Sequence, residues 1–183
     1  MKLRLPCAAV VFCLAVLSAP AQDKDANPFR NAKVGDFVAY KMTTKVMDKA
    51  IEGTMRQSVS EKNDKELTLK MVVSVMGMTF PAPDTKIDLT KPYDPTALAM
   101  QGNPKGKFEK TGDGKEKIKV GDKTYDCEWI KGKVTADTGA IKIESEVKLW
   151  TSKAVPLTGL VKMEMKSNVA DVTMTLTKSG NEK

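Results

Sequence analysis

Ile141-Lys142-Ile143-Glu144-Ser145-Glu146-Val147-Lys148-Leu149-Trp150-Thr151 is the stretch on which the fold turns. Ile141, Ile143, Val147 and Leu149 share one parity, while Lys142, Glu144, Glu146 and Lys148 share the other. Successive side chains of a strand leave on opposite faces, so this run reads as a strand with one dry and one wet face. A helix would set Ile141 and Ile143 about 200° apart and scatter the apolar stripe. Two neighbouring runs behave alike. Tyr125-Asp126-Cys127-Glu128-Trp129-Ile130 places Tyr125, Cys127 and Trp129 on one face, and Leu157 to Lys166 follows after the segment Trp150 to Gly159. The block from Tyr125 to Lys162 is therefore expected at the centre of a curved antiparallel sheet.

The same alternation extends outward. Val38, Tyr40, Met42 and Val46 share a face, and so do Ile51, Met55 and Val59. Leu67, Leu69, Met71, Val73 and Val75 line one side of a long run from Glu66 to Phe80. At its end Met76, Met78 and Phe80 make the second side apolar as well, so that side needs cover. Pro81, Pro83, Pro92 and Pro95 exclude residues 81–103 from the middle of a sheet, because proline cannot donate to a ladder. Asp94 as N-cap and Pro95 at the first helical position suit a short helix there, a lid whose Leu98 and Met100 would cover the exposed apolar end. Gly112-Asp113-Gly114 and Gly121-Asp122 read as tight turns, and Val172 to Leu176 as the last strand. The expected fold is mainly β: a single antiparallel curved sheet or unclosed β-barrel of about nine strands with one short helix or lid segment, a β-sandwich being the alternative.

The N-terminus reads as a secretory leader. Lys2 and Arg4 precede an apolar run from Leu5 to Leu17, and Ala19-Pro20-Ala21 presents small residues for cleavage after Ala21. The run is too short to span a membrane, which takes about 20 residues. Cys7 comes too early to follow an apolar core, and Cys13 follows bulky Phe12, so neither suits lipid attachment. The expected organisation is a signal peptide at 1–21, a polar leader at 22–33 and a single β domain at 34–183 that contains the lid at 81–103. This places the protein in the periplasm or secreted, with no transmembrane segment in the mature chain.

Composition narrows the chemistry. Without Lys2 and Arg4 the mature chain carries 28 basic residues against 23 acidic, a net charge of +5. Nearly all of it is lysine, since only Arg30 and Arg56 remain. Lysine is a solvated point charge, whereas nucleic-acid readers favour arginine interleaved with aromatics. Attraction to an anionic envelope surface follows from the charge, and nucleic-acid binding does not. After cleavage Cys127 stands alone, and its place between Tyr125 and Trp129 on a strand face favours burial over pairing with another chain.

Catalytic signatures are missing. The chain has no histidine, which removes the Ser-His-Asp arrangement and every zinc site built on imidazole. Ser145-Glu146-Val147-Lys148 and Lys110-Thr111-Gly112 echo penicillin-binding motifs, but their order is reversed and a strand would point Ser145 and Lys148 to opposite sides. No catalytic residue, metal or cofactor is expected. The M-x-M pairs Met76-Gly77-Met78 and Met163-Glu164-Met165 present soft thioethers, better suited to lining irregular apolar space than to holding copper without histidine.

Val34-Gly35-Asp36-Phe37-Val38-Ala39-Tyr40, Gly121-Asp122-Lys123-Thr124-Tyr125-Asp126-Cys127 and Trp150-Thr151-Ser152 with Val155-Pro156-Leu157-Thr158-Gly159-Leu160-Val161-Lys162 resemble stretches of uncharacterised secreted envelope proteins of Gram-negative-type bacteria. More distantly, the strand order is similar to the lipoprotein-carrier superfamily of LolA and LolB. The resemblance implies an unclosed antiparallel barrel around an apolar cavity capped by helices. That family carries a cavity arginine, and Arg56 is the only strand arginine here.

These readings converge on a non-catalytic binding protein that holds a lipid, acyl chain or other amphiphile. Met76, Met78, Phe80, Leu98, Met100, Trp129, Trp150, Met163 and Met165 are the candidate cavity and lid residues. The alternative is a structural or interaction protein of the envelope with a packed core and a lysine-rich face for an anionic surface.

Overall fold

The computed structural model describes residues 27–93, 107–137 and 142–182. The signal peptide expected at 1–21 and the lid residues Leu98 and Met100 lie outside the described residues, whereas Asn27, Phe29 and Ala32 of the polar leader expected at 22–33 are buried against the domain. Ten strands form one antiparallel sheet: β1 (Asp36–Val46), β2 (Lys49–Lys62), β3 (Glu66–Val75), β4 (Met78–Pro81), β5 (Thr85–Asp88), β6 (Lys107–Val120), β7 (Lys123–Asp137), β8 (Lys142–Thr151), β9 (Leu160–Ser167) and β10 (Asp171–Asn181). Their order is β4-β3-β2-β1-β10-β9-β8-β7-β6, with β5 also on β3, so the sheet has two free ends and does not close. A 3-10 turn at Pro28–Asn31 is the one helical element among the described residues, and none of their helices is long and apolar enough to cross a membrane.

The first and last strands meet in the middle of the sheet. β1 pairs with β10 from Asp36↔Asn181 to Lys45↔Asp171, which joins a meander of β1 to β5 to a meander of β6 to β10. The alternation expected from the sequence is the observed burial pattern over much of the sheet, but Val46 and Ile51 near the first hairpin are exposed and Trp150 is buried on the parity opposite to Leu149. Val147 and Leu149 of β8 lie on the dry side with Val38 and Tyr40 of β1, Met55 and Val59 of β2, and Leu67 and Leu69 of β3. Fully burying each such side chain contributes about 1.5–3 kcal/mol.

A single sheet has no second layer, so it buries this face only by rolling up. β6 lies four strands from β10, about 19 Å along a flat sheet, yet it approaches β10 directly. The dry side is thus the inner, concave one. One end is plugged by Phe29 of the 3-10 turn, by Leu89, and by Val155 and Leu157 of the loop after β8. That loop is tied by Ser152 N–H to the Gly159 carbonyl at 2.8 Å and turns at Leu157 and Gly159, both at positive φ. The third run therefore begins as a strand at Leu160, not at Leu157. Across the core the Tyr40 hydroxyl donates to the Leu160 carbonyl at 3.1 Å.

Three further expectations are corrected. The run Glu66–Phe80 is not one strand, because the chain reverses at Met76-Gly77 and β4 returns along β3. The two residues of that turn have φ of 52° and 78°, a pairing usually given to Asn-Gly. The proline-rich segment is not wholly outside the sheet, since β5 pairs with β3 from Glu66↔Asp88 to Leu69↔Thr85. Its prolines flank that short edge strand without entering it, which an edge tolerates. Gly112-Asp113-Gly114 is no turn either, as it lies inside β6. Its glycines leave bare backbone beneath Trp129: a Cβ on Gly114 would stand 2.8 Å from that indole. On the opposite face Gly132 makes room for Phe108 in the same way. Ring-over-glycine pairs of this kind let a sheet keep glycine without losing packing.

Candidate functional site

Strand register assembles one apolar row across the inner face. Leu149 of β8 pairs with Met163 of β9, Met163 with Met174 of β10, and Met174 with Met42 of β1. The row continues through Gly53 of β2 to Val75 of β3 and Met78 of β4. A parallel row runs Leu176, Tyr40, Met55, Val73, Phe80. Both rows are buried at their centre and open towards the β4 edge. Leu149, Met163 and Met174 are buried, Met42, Val73 and Val75 are half-buried, and Met78 and Phe80 are 58% and 52% exposed.

Gly53 leaves a gap in the first row. A side chain there would meet the Ser74 carbonyl at 2.8 Å and Val75 at 3.2 Å, with the Met42 methyl at 3.7 Å. The floor at this point is backbone overhung by the flexible thioether of Met42. On the far side Val147, Met165 and Val172 form a further row that continues through the half-buried Thr44 to Ile51, 40% exposed. We call this methionine-rich apolar strip of the inner face, buried at β8–β10 and exposed at the β4 edge, the trough.

The structure divides the residues expected to line a cavity. Met163 and Met165 lie on the trough face, with Met78 and Phe80 at its open rim. Met76 is at the hairpin turn, 79% exposed. Trp129 and Trp150 do not join them. They pair across β7 and β8 on the parity opposite to Leu149, the convex side, where Trp150 is nevertheless buried at 4% exposure and Trp129 is half-buried. Arg56 also points outward, over the Phe37 ring at 3.9 Å and to Glu182 at 2.6 Å, so no strand arginine serves the trough. Met42, Met55, Met71 and Met174 complete the lining; their alternation marks them as dry-face residues, but only register aligns them with Met163 and Met78.

On the convex side the tryptophans hold a lysine. Lys148 Nζ lies 4.3 Å from the centroids of both Trp129 and Trp150, a cation–π contact on two sides. The Trp150 indole N–H donates to Glu116 Oε2 at 2.8 Å, and Lys148 Nζ is 3.4 Å from the same oxygen. The indole hydrogen bond, and after it the Lys148 charge, holds the Glu116 carboxyl below the ordinary carboxylate range. A lowered folded-state pKa means that this contribution is complete above the unfolded value and is lost as pH falls through the folded one. Acid titration followed by tryptophan emission should therefore show a transition below the ordinary carboxylate range that Glu116→Gln removes. An identical transition in the variant would show that another group is responsible.

A second cleft of about 850 Å3 opens between the β6–β7 hairpin and residues 151–154, with Tyr125 and Cys127 in its wall. Cys127 is buried, its thiol donates to the Tyr125 carbonyl at 3.6 Å, and burial pushes that thiol's pKa up. A protonated, buried thiol is a poor nucleophile. Three lysines and three carboxylates stand in the same wall beside Ala154, so this cleft mixes apolar surface with charge.

No family model and no curated protein matches the chain. Solved structures do. A protein described as exported, with a YmcC-like fold, from Bacteroides fragilis NCTC 9343 is 11% identical at a TM-score of 0.54, covering 84% of this chain and 99% of its own. A protein described as a lipoprotein, from Parabacteroides distasonis ATCC 8503, is 13% identical at a TM-score of 0.56, covering 85% of this chain and 100% of its own. At these identities the likeness is one of fold: the unclosed antiparallel sheet is shared with proteins so described.

Proposed function

We propose that the protein is a non-catalytic binding protein of the cell envelope whose trough takes a long, unbranched apolar group such as an acyl chain. The observation that carries this reading is the row Leu149, Met163, Met174, Met42, Gly53, Val75, Met78, which passes without a polar side chain from the core to the solvent-exposed edge. Thioether side chains adapt to ligands of variable shape, and an apolar floor with an open flank admits a chain sideways. The leader-like start at Lys2 to Ala21 supports a location outside the cytoplasm, as does a fold shared with proteins described as exported or as lipoproteins.

The test is uptake of a fluorescent fatty acid. The wild-type chain should bind it saturably, and Met78→Lys with Phe80→Lys should weaken binding about tenfold or more, by placing two charges along the path of the chain. Both positions are exposed, so the variant should melt close to wild type. Absence of saturable uptake by the wild-type protein ends the reading and leaves a packed scaffold with a lysine-rich face.

A further inference from the structure

Every large apolar side chain that is exposed among the described residues lies on one of three hairpins: β1–β2, β3–β4 and β9–β10. Register puts all three turns at the same end of the sheet. Val46↔Lys49 closes the first and Lys166↔Asp171 the third, while Lys45↔Asp171 sets those two crests side by side. Val75↔Met78 closes the second two strands away, opposite Gly53 and so four residues short of the first, which closes at Lys49. At the crests stand Met47, 95% exposed, Met76, 79% exposed, and Val169, 50% exposed.

Two of these crests are built against local preference. Met47 and Met76 have φ of 54° and 52°, a conformation favourable to Gly, Asn and Asp and costly for a side chain such as methionine. Methionine at such a position, projecting into solvent with no core to enter, has no explanation within the fold. Backbone strain held at an exposed apolar residue points to a use for that residue.

We infer that this end of the sheet docks onto an anionic lipid surface, with Met47, Met76 and Val169 entering the interfacial layer. Val46 and Met47 on one hairpin, Met76 with Met78 and Phe80 on another and Val169 on the third stand as separate projections, not as the one contiguous patch of about 800 Å2 per partner that a standard protein interface buries. A fluid lipid interface moulds around separate tips, and binding to it grows with buried apolar area and with attraction to acidic headgroups. Lys45 and Lys49 bracket the Met47 crest, both exposed and neither ion-paired among the described residues; Asp48 lies between them and Asp171 stands across from Lys45, with Lys166 beyond it. The chain is basic overall, with a formal net charge of +7.

The inference is independent of ligand uptake by the trough and is tested by co-sedimentation with phosphatidylcholine vesicles containing phosphatidylglycerol. All proteins compared share one N-terminus, so a leader or anchor contributes equally. Met47→Asn with Met76→Asn and Val169→Ser should lower the partition coefficient about tenfold. The same variant should melt no lower than wild type, because asparagine tolerates positive φ better than methionine. Lys45→Gln with Lys49→Gln should lower it about fivefold per lysine on these vesicles and leave partition onto pure phosphatidylcholine unchanged. Equal partition of wild type and the crest variant, or no binding by wild type, overturns the inference. So does a wild-type dimer that the crest variant dissociates without any vesicle binding, which would assign the crests to a second copy of the chain.

Discussion

Val147→Asp is expected to unfold the protein at ordinary temperature. Val147 is 1% exposed on the inner face of β8, paired with Gly132 on one side and Met165 on the other. Neither neighbour offers a hydrogen bond or an opposite charge. Burying an unpaired carboxylate costs several kcal/mol even after the group shifts its pKa to avoid ionising, and a domain of this size is stable by only about 5–15 kcal/mol. Glu146, one residue earlier, points to the convex side and pairs with Lys131 at 3.0 Å in the open. Glu146→Gln should be mild, because exposed ion pairs contribute little. Urea denaturation of the two variants separates these outcomes. Similar losses in both would mean that the inner face of β8 has been misassigned.

Gly132→Ala should produce the second large effect. A Cβ at Gly132 would stand 2.3 Å from Phe108 Cζ and 2.6 Å from the Glu109 carbonyl oxygen. The ring can swing aside, but that oxygen belongs to the backbone of the paired strand and moves only if the β6–β7 ladder moves with it. Forcing atoms into a packed site costs about 1–3 kcal/mol, and this site adds a ladder distortion to that cost. Gly112→Ala is the control. Its nearest neighbour would be Trp129 at 3.6 Å, an ordinary contact, and alanine suits an extended backbone better than glycine. Thermal melts should show Gly132→Ala lowered by several degrees and Gly112→Ala unchanged or raised. Equal behaviour of the two would show that Phe108 does not lie across Gly132 as described.

The two glycines also show where reading the chain in isolation misleads. Gly112-Asp113-Gly114 has the composition of a turn, and it is a strand because Trp129, fifteen residues beyond Gly114, needs a flat surface there. Conversely Met76-Gly77 lacks the usual turn composition at its first position, so the reversal between β3 and β4 passed for the continuation of a strand. Read as one strand, the run places Met78 and Phe80 on a second apolar face that calls for a lid. They belong instead to the same face as Val75 and Val73, on the next strand.

By itself the sequence determined what depends on neighbouring residues. The two-residue period of Ile143 to Leu149, of Val38 to Met42 and of Leu67 to Val75 follows from strand geometry, and it specified the β class, the dry positions and the burial of Val147 and Leu149. The lack of histidine withheld a whole range of chemistry in the same direct way. Tertiary structure decided everything that rests on which strands lie side by side. Asp36 meets Asn181 across nearly the whole chain, and that pairing sets Met42 beside Met174 and so creates the trough row. The parity of Trp150 is written in the chain, but only the curl of the sheet makes its face convex and that of Leu149 concave. Alternation is a local consequence of backbone dihedrals, whereas register and curvature are settled by burial of distant side chains against one another, a quantity that no window of consecutive residues contains.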